Sequence, residues 1–148
     1  MSVGIVYCDG SCLGNPGKGG WASLVKADDK LFLISGAEEL TSNNRMELTA
    51  AISGLKKATE LNMRYIEIRS DSKYVCDGAS IWIENWTRNN WNGGKVKNVD
   101  LWNEVLFYIR YFREKLSWKW VKAHDVDVMN IFVDCVARSN ATFPCDIL

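Results

Sequence analysis

The first third of the chain alternates apolar and polar positions in three short runs. Residues 3–9, 21–25 and 31–35 show the period of two that is typical of strands, and an Asp-Asp-Lys turn separates the last two runs. Strands joined by so short a turn pair in antiparallel fashion. The pattern therefore predicts an antiparallel three-stranded meander at the start of the chain.

The pattern changes to helical spacing beyond the meander. Apolar residues recur every three or four positions, which indicates a long amphipathic helix that begins near Asn43 or Asn44. The pattern then predicts, in order, a strand at 65–69, a helix through Tyr74 and Val75, a helix at 99–112 and a strand at 118–121.

A last helix is predicted from a single apolar stripe. The side chains expected to be buried along it are Met129, Phe132, Val133, Val136 and Ala137. Asp134 falls beside this stripe. Together the elements run as three strands, a helix, a strand, helices, a strand and a helix, an order that predicts a layered α/β domain.

Length and composition limit the class of protein. A chain of 148 residues with 47% hydrophobic positions fits one globular domain, and we assign residues 1–148 to a single domain. No run of about 18 apolar residues occurs, and the N-terminus lacks a basic segment followed by an apolar one. We therefore expect neither export nor a membrane span.

Cysteine usage indicates a reducing compartment. The five cysteines are odd in number and show no CxxC pairing. We therefore interpret them as reduced thiols, which is typical of cytosolic and nuclear proteins, and we expect a cytoplasmic location. Separately, we expect the protein to be a monomer.

Charge does not favour a strongly cationic nucleic-acid binder, because 18 basic residues balance 18 acidic ones. The distribution is uneven, however, since five basic residues and one acidic residue lie between Arg110 and Lys122. A local positive face is therefore compatible with overall neutrality. The seven tryptophans could stack on bases, but in a domain of this size we expect most of them in the core.

Four acidic residues lie far apart in the chain, yet each stands at or near the end of a predicted element: Asp9, Glu47, Asp71 and Asp134. If folding gathers them in one cleft, their oxygens form a site for hard divalent cations such as Mg²⁺ or Mn²⁺. A site of this kind suits phosphodiester hydrolysis.

Each carboxylate also has an ordinary structural explanation. Asp9 with Gly10 could form a turn, and Glu47 could be the reach-back partner of a capping box. Asp71 could cap the following helix, and Asp134 could be a solvated helix position. The functional interpretation therefore depends on the four residues as a set.

Six stretches of the chain, in order, resemble those of type 1 ribonuclease H. They are DGSCLGNPG with a following GGW, TSNNRMEL, SDSKYV, WIENW, KNVDLW, and WVKAH with DCVA. The resemblance implies a five-stranded mixed sheet flanked by helices, with the first three strands antiparallel. It also implies endonucleolytic hydrolysis of the RNA strand of an RNA/DNA hybrid, which leaves 5′-phosphate and 3′-hydroxyl ends.

The resemblance also implies the roles of individual residues. It assigns two Mg²⁺ ions, or Mn²⁺ as a substitute, to Asp9, Glu47, Asp71 and Asp134, with Asp9 bridging both. His124, the single histidine of the chain, matches a mobile-loop residue that assists proton transfer or product release. The family's contacts to the hybrid carry over to Cys12, Gly14, Asn15, Ser42, Asn43, Asn44 and Trp86. For the asparagines and Ser42, turn and cap chemistry is the alternative explanation.

The chain departs from the family after His124. The family has a glycine-containing polar loop there, whereas this chain has no glycine and places Ile131 and Phe132 where polar or small residues are usual. These two residues could form an apolar contact surface. Three other functions therefore stay open: a non-catalytic hybrid-binding domain, a nuclease subdomain of a longer polymerase, and a nuclease for DNA junctions. The complete acidic quartet disfavours the first.

Overall fold

One mixed sheet of five strands organises the molecule, which is described here by a computed structural model covering residues 3–122 and 127–142. The strand order is β3-β2-β1-β4-β5. The strands are β1 (Val3–Cys12), β2 (Gly17–Ala27), β3 (Lys30–Thr41), β4 (Tyr65–Ser70) and β5 (Leu116–Trp120). The first three are antiparallel, and β4 and β5 run parallel to β1. This sheet confirms the predicted α/β fold and its antiparallel start.

The helical elements follow β3. They are α1 (Asn43–Glu60), α2 (Lys73–Asp77), a π-helical turn (Gly78–Trp82), α3 (Ile83–Arg88), the short α4 (Asn90–Gly94), α5 (Val99–Phe112), a 3₁₀ turn (Arg113–Lys115) and α6 (Val128–Thr142). Within the described ranges, no helix is both long enough and apolar enough to cross a bilayer.

The two faces of the sheet carry separate cores because successive strand residues point to opposite sides. Val6 of β1 belongs to the larger core with α1 and α5, where Trp102 is fully buried. Its neighbour Tyr7 belongs to the smaller core formed with α6. The central strand β1 is therefore covered by helices on both faces.

The prediction that Phe132 is buried on α6 is wrong, since this side chain is 43% exposed. The helix instead buries Val133, Ala137 and Ala141, a narrower stripe of smaller residues. Gly20 of β2 shows how closely this stripe packs, because a Cβ at this position would lie 2.5 Å from the backbone nitrogen of Ala141. The helix approaches β2 so closely that only small side chains fit between them.

The tryptophans are distributed unevenly between core and surface. Trp102 lies in the core and donates its indole hydrogen bond to the Tyr74 hydroxyl at 2.9 Å. Trp82 and Trp120 are exposed. The remaining four are partly buried against the larger core: Trp21, Trp86, Trp91 and Trp118. Trp120 in particular lies at the edge of the sheet where the acidic residues gather.

Candidate active site

Asp9 lies within β1 and not in a turn. The strand continues to Cys12, and Asp9 pairs with Ala22 of β2. Asp9 is only 5% exposed, and one of its carboxylate oxygens accepts a hydrogen bond from the Gly10 backbone N–H at 2.9 Å. The turn explanation for Asp9 is therefore wrong. Because charged side chains are seldom buried, the burial of this carboxylate needs another explanation.

Glu47 comes from the first turns of α1 and contacts the same N–H. Gly10 also donates to Glu47 Oε1 at 2.9 Å. The N-cap of α1 is Ser42, whose hydroxyl accepts from the Arg45 N–H, so Glu47 is not the partner of a capping box. Its carboxylate is instead directed across to β1.

Gly10 permits this close approach of α1 to β1. A Cβ at this position would lie 2.5 Å from the backbone nitrogen of Glu47 and would also clash with the carbonyl carbon of Met46. Because both contacts are with backbone atoms, no side-chain rotation can relieve them. The glycine that follows Asp9 therefore brings the two carboxylates together.

Asp71 is the first residue after β4. Because β4 runs parallel to β1 and is its neighbour, the carboxyl ends of both strands lie at the same edge of the sheet. Ser72 caps α2 by accepting from the Val75 N–H at 3.1 Å, so the Asp71 carboxylate is not used as the helix cap. Its side chain is free to join the other two acidic groups.

The three carboxylates meet in one cluster. One oxygen from each of Asp9, Glu47 and Asp71 lies within 4.8 Å of the others. Residues 9, 47 and 71 come from three different elements, so the fold alone brings them together. This convergence is what the sequence predicted for these three positions.

Asp134 stands beside the cluster on α6. It lines a cavity of about 380 Å³ together with Asp9 and Asp71, and its proximity contributes to the raised pKa of Asp9. Its own carboxylate forms an ion pair with Arg138 Nη2 at 2.7 Å. The structure therefore places all four predicted acidic residues around one site, with Asp134 partly neutralised by its helical neighbour.

The electrostatics of the cluster favour protonation. Burial raises the pKa of Asp9 to about 8, and the Asp71 charge and the contact with Asp134 add to this. Burial also raises the pKa of Glu47 well above its ordinary value, with further repulsion from Asp9 and Asp71. The buried acidic groups of the cluster therefore lack the positive charge that would stabilise all of them in the ionised form.

The donor set fits a hard divalent cation. Three carboxylates converge their oxygens, and oxygen donors are what Mg²⁺ and Mn²⁺ prefer. A bound cation would also offset the burial and the repulsion that raise the pKa of Asp9 and Glu47. The residues therefore fit the metal site that the sequence predicted.

The predicted hybrid contacts from the first loop and α1 form one rim. The Asn15 side-chain oxygen accepts from the Asn43 N–H at 3.0 Å, which ties the β1–β2 loop to the start of α1. Ser42 caps this helix. The other predicted contacts lie on or beside these two segments: Cys12 at the end of β1, Gly14 in the loop that follows, and Asn44 on the helix.

Two predicted site residues lie elsewhere. Trp86 packs against Trp102 and Trp91, with ring centroids 5.3 and 6.3 Å away. It also lines a separate cavity of about 400 Å³ beside α3 and α4. His124 lies outside the described residues.

Sequence reasoning missed two residues of the site. Arg138 could have been found, because it stands four residues after Asp134 on a helix, where an ion pair is expected. Trp120, whose indole N–H donates to the Asp71 carbonyl oxygen at 3.0 Å, had no comparable signal. Its contact spans 49 residues of sequence and arises only from the pairing of β4 with β5.

Replacing Gly10 by alanine tests the close packing at the site. We expect Gly10→Ala to destabilise the protein by about 1 to 3 kcal/mol, the usual cost of overpacking, because α1 must move away from β1. Cleavage should fall strongly for the same reason, since Asp9 and Glu47 separate. Urea unfolding and a hydrolysis assay measure the two effects.

Gly4→Ala is the matched control on the same strand. There the new Cβ would approach the flexible end of Met63 at 2.7 Å, which can rotate away. Equal losses of stability and of cleavage in both variants would contradict the conclusion that Gly10 permits the close approach of α1 to β1.

The fold and the carboxylate cluster define the class of metal-dependent nucleases. A scan against family models matches the RNase H family over residues 2–142. The chain belongs to the ribonuclease H family, and it is an enzyme of the hydrolase class.

Curated relatives agree with this assignment over nearly their whole length. The ribonuclease H of Rickettsia akari is 44% identical over 147 residues, which cover 97% of this chain and 94% of that protein. The ribonuclease H of Xanthomonas oryzae is 43% identical, with 93% of this chain and 91% of that protein covered. Both matches are consistent with the predicted type 1, bacterial-like assignment.

Solved structures share the fold. LC9-RNase H1, described as a type 1 RNase H with the type 2 active-site motif, has a TM-score of 0.82 at 27% identity and covers 96% of this chain and 73% of that one. LC11-RNase H1 in complex with an RNA/DNA hybrid has a TM-score of 0.68 at 19% identity, with 92% of this chain and 94% of that one covered.

Proposed function

We propose that this enzyme is an endonuclease that hydrolyses the RNA strand of RNA/DNA hybrids and leaves 5′-phosphate and 3′-hydroxyl ends. The observation that carries the proposal is the convergence of the Asp9, Glu47 and Asp71 oxygens within 4.8 Å of one another on a ribonuclease H fold. The hybrid seen bound to LC11-RNase H1 supports the choice of substrate.

Asp9, Glu47, Asp71 and Asp134 would hold two divalent cations, which we take to be Mg²⁺ with Mn²⁺ as a substitute. When bound, such ions supply positive charge at a scissile phosphate and make a neighbouring water more acidic. The Gly10 N–H, shared by Asp9 and Glu47, keeps two of the carboxylates aligned. Arg138 reduces the charge that Asp134 adds to the site.

The rim residues would recognise the hybrid. The 2′-hydroxyl distinguishes RNA from DNA, and side-chain amides can donate to it and accept from it. Asn43 and Asn44 are exposed at the start of α1, and Asn15 is bonded to the Asn43 backbone. We assign these three residues, with Cys12, Gly14 and Ser42, to hybrid binding.

His124 and Trp86 have accessory roles in this proposal. His124 would assist proton transfer or product release without being essential. Trp86 would hold the α3–α4 segment against Trp102 so that this segment can contact the DNA strand. The proposal also includes a monomeric, single-domain enzyme in the cytoplasm, and the free thiols of the described cysteines agree with that compartment.

A cleavage assay with three substrates tests the proposed function. Labelled RNA/DNA hybrid, duplex RNA and duplex DNA are each incubated with Mg²⁺, Mn²⁺ or EDTA. We expect cleavage of the hybrid alone, with either metal and not with EDTA, and products whose 5′ ends are phosphorylated. Binding of the hybrid without cleavage would instead favour the non-catalytic domain.

A further inference from the structure

Trp120 is an exposed aromatic residue at the edge of the active site. It ends β5, remains 40% exposed, and yet its indole N–H makes a hydrogen bond of 3.0 Å to the Asp71 carbonyl oxygen. Exposed indoles contribute less to the core than buried ones, so packing alone does not explain the position of this one.

The hydrogen bond extends the β4–β5 pairing by one residue. The ladder pairs Ser70 with Trp120, and the Val121 N–H donates to the Ser70 carbonyl at 2.9 Å. Asp71 follows directly and is no longer part of β4. The Trp120 side chain therefore supplies to the Asp71 carbonyl the donor that a longer strand would have supplied.

The same short segment is also held from its other side. The Ser72 N–H donates to the Ser70 hydroxyl at 3.0 Å. With one bond to the Asp71 carbonyl and another to the next N–H, the peptide group between Asp71 and Ser72 has a fixed orientation. The direction of the Asp71 side chain depends on that orientation, because its Cα belongs to the same peptide plane.

The ammonium group of Lys73 lies over the face of the Trp120 ring. Lys73 Nζ lies 4.7 Å from the ring centroid, within the range of a cation–π contact. No carboxylate forms an ion pair with Lys73 among residues 3–122 and 127–142. An ammonium group is therefore held two residues from Asp71, on a side chain that would otherwise move freely in solvent.

We propose that Trp120 is a positioning residue with two separate actions: its N–H fixes Asp71 for cation binding, and its ring face holds the Lys73 ammonium toward a phosphate of the bound nucleic acid. The inference rests on the proposed function, because it assumes that Asp71 binds a cation and that the substrate is a polyanion. The two actions use different parts of one side chain and can therefore be separated by substitution.

Trp120→Phe removes the N–H and keeps an aromatic face. We expect Mg²⁺ affinity, measured by calorimetry on the protein without substrate, to fall about tenfold, as for other groups that orient a metal ligand. The kcat should recover at high Mg²⁺ concentration, and the KM for the hybrid should change little.

Lys73→Met removes the charge and keeps the indole donor. We expect the Mg²⁺ affinity to be unchanged. The salt dependence of hybrid binding in EDTA should become weaker: the slope of the logarithm of the binding constant against the logarithm of the salt concentration should decrease in magnitude by about one. Trp120→Leu removes both the donor and the ring, and should show both changes together.

Trp118→Phe is the matched control, since Trp118 lies two residues earlier on β5 and packs against the core, whereas the indole bond to Asp71 comes from Trp120. Urea unfolding identifies any variant that has lost its fold. An unchanged Mg²⁺ affinity in a folded Trp120→Phe protein would overturn the inference. An equal loss of Mg²⁺ affinity in Trp118→Phe and Trp120→Phe would overturn it as well. A wild-type protein that binds no Mg²⁺ would instead remove the proposed function itself.

Discussion

The Asp9→Asn variant is expected to fold normally and to lose cleavage of the hybrid by about a thousandfold or more, since the bound cations supply several kcal/mol of transition-state stabilisation and each 1.4 kcal/mol is a factor of ten. Asp9 shares the Gly10 N–H with Glu47, and Asp71 and Asp134 both lie close enough to raise its pKa further after burial has done so. The neutral amide is a poorer ligand for a hard cation. Single-turnover hydrolysis at saturating Mg²⁺ measures the loss.

The same substitution should stabilise the protein in EDTA. The amide side chain would carry no charge into a buried site where Glu47 and Asp71 already repel each other, so the variant should unfold at a higher urea concentration than the wild type. Loss of activity together with a gain in stability is the signature of a functional charge cluster. A merely structural Asp9 would instead give a less stable variant.

Asp29→Asn is the matched control for charge. Asp29 lies exposed in the turn between β2 and β3. Its substitution removes the same charge from the chain, and the rate of cleavage should not change. Normal hydrolysis by a folded Asp9→Asn protein would exclude the cluster as the active site.

Elements that depend on local periodicity could be predicted from the sequence. The meander and α1 have clear apolar patterns, and both are found. The helix begins at Asn43 as expected, whereas the three strands extend up to six residues beyond their predicted ends. The helix α1 joins β3 to β4 and must cross over the sheet, which accounts for β4 running parallel to β3 and therefore to β1. Asp71 then falls at the same edge as Asp9 without further assumption.

The explanations that treated single residues in isolation were wrong where tertiary contacts decide. Asp9 resembled a turn residue because Asp-Gly often forms one, but pairing with β2 keeps β1 extended as far as Cys12. Glu47 resembled a capping residue, but Ser42 already serves as the cap. In both cases the carboxylate was left available for the site.

Contacts between segments that are distant in the sequence could not be predicted from the pattern of apolar and polar residues. Phe132 fits an apolar helical stripe, and only the contact of α6 with Gly20 shows that the buried stripe is narrower. Trp120 could have been assigned to the core as readily as to the site. Its bond to Asp71 depends on the end of the β4–β5 ladder, which periodicity locates only to within a few residues.

The stability of the protein in EDTA is expected to fall as pH rises from 6 to 8. The Asp9 pKa is about 8 in the folded protein and near 4 in the unfolded chain, so between these values the folded state binds more protons. The contribution of the neutral Asp9 carboxyl group to the free energy of unfolding is therefore fully present below about pH 4, and it is lost as the pH approaches 8. The raised pKa of Glu47 acts in the same direction.

The expected loss is about 1 to 3 kcal/mol over this interval, because one extra bound proton changes the unfolding free energy by about 1.4 kcal/mol per pH unit. Urea unfolding in EDTA at pH 6, 7 and 8 measures it. Saturating Mg²⁺ should abolish the decrease, since a bound cation replaces the protons, and Asp9→Asn should make it shallower. A wild-type protein whose stability in EDTA stays constant or increases over this range would show that burial and acidic neighbours do not raise the pKa of Asp9, and the physical basis for a cation site would be lost.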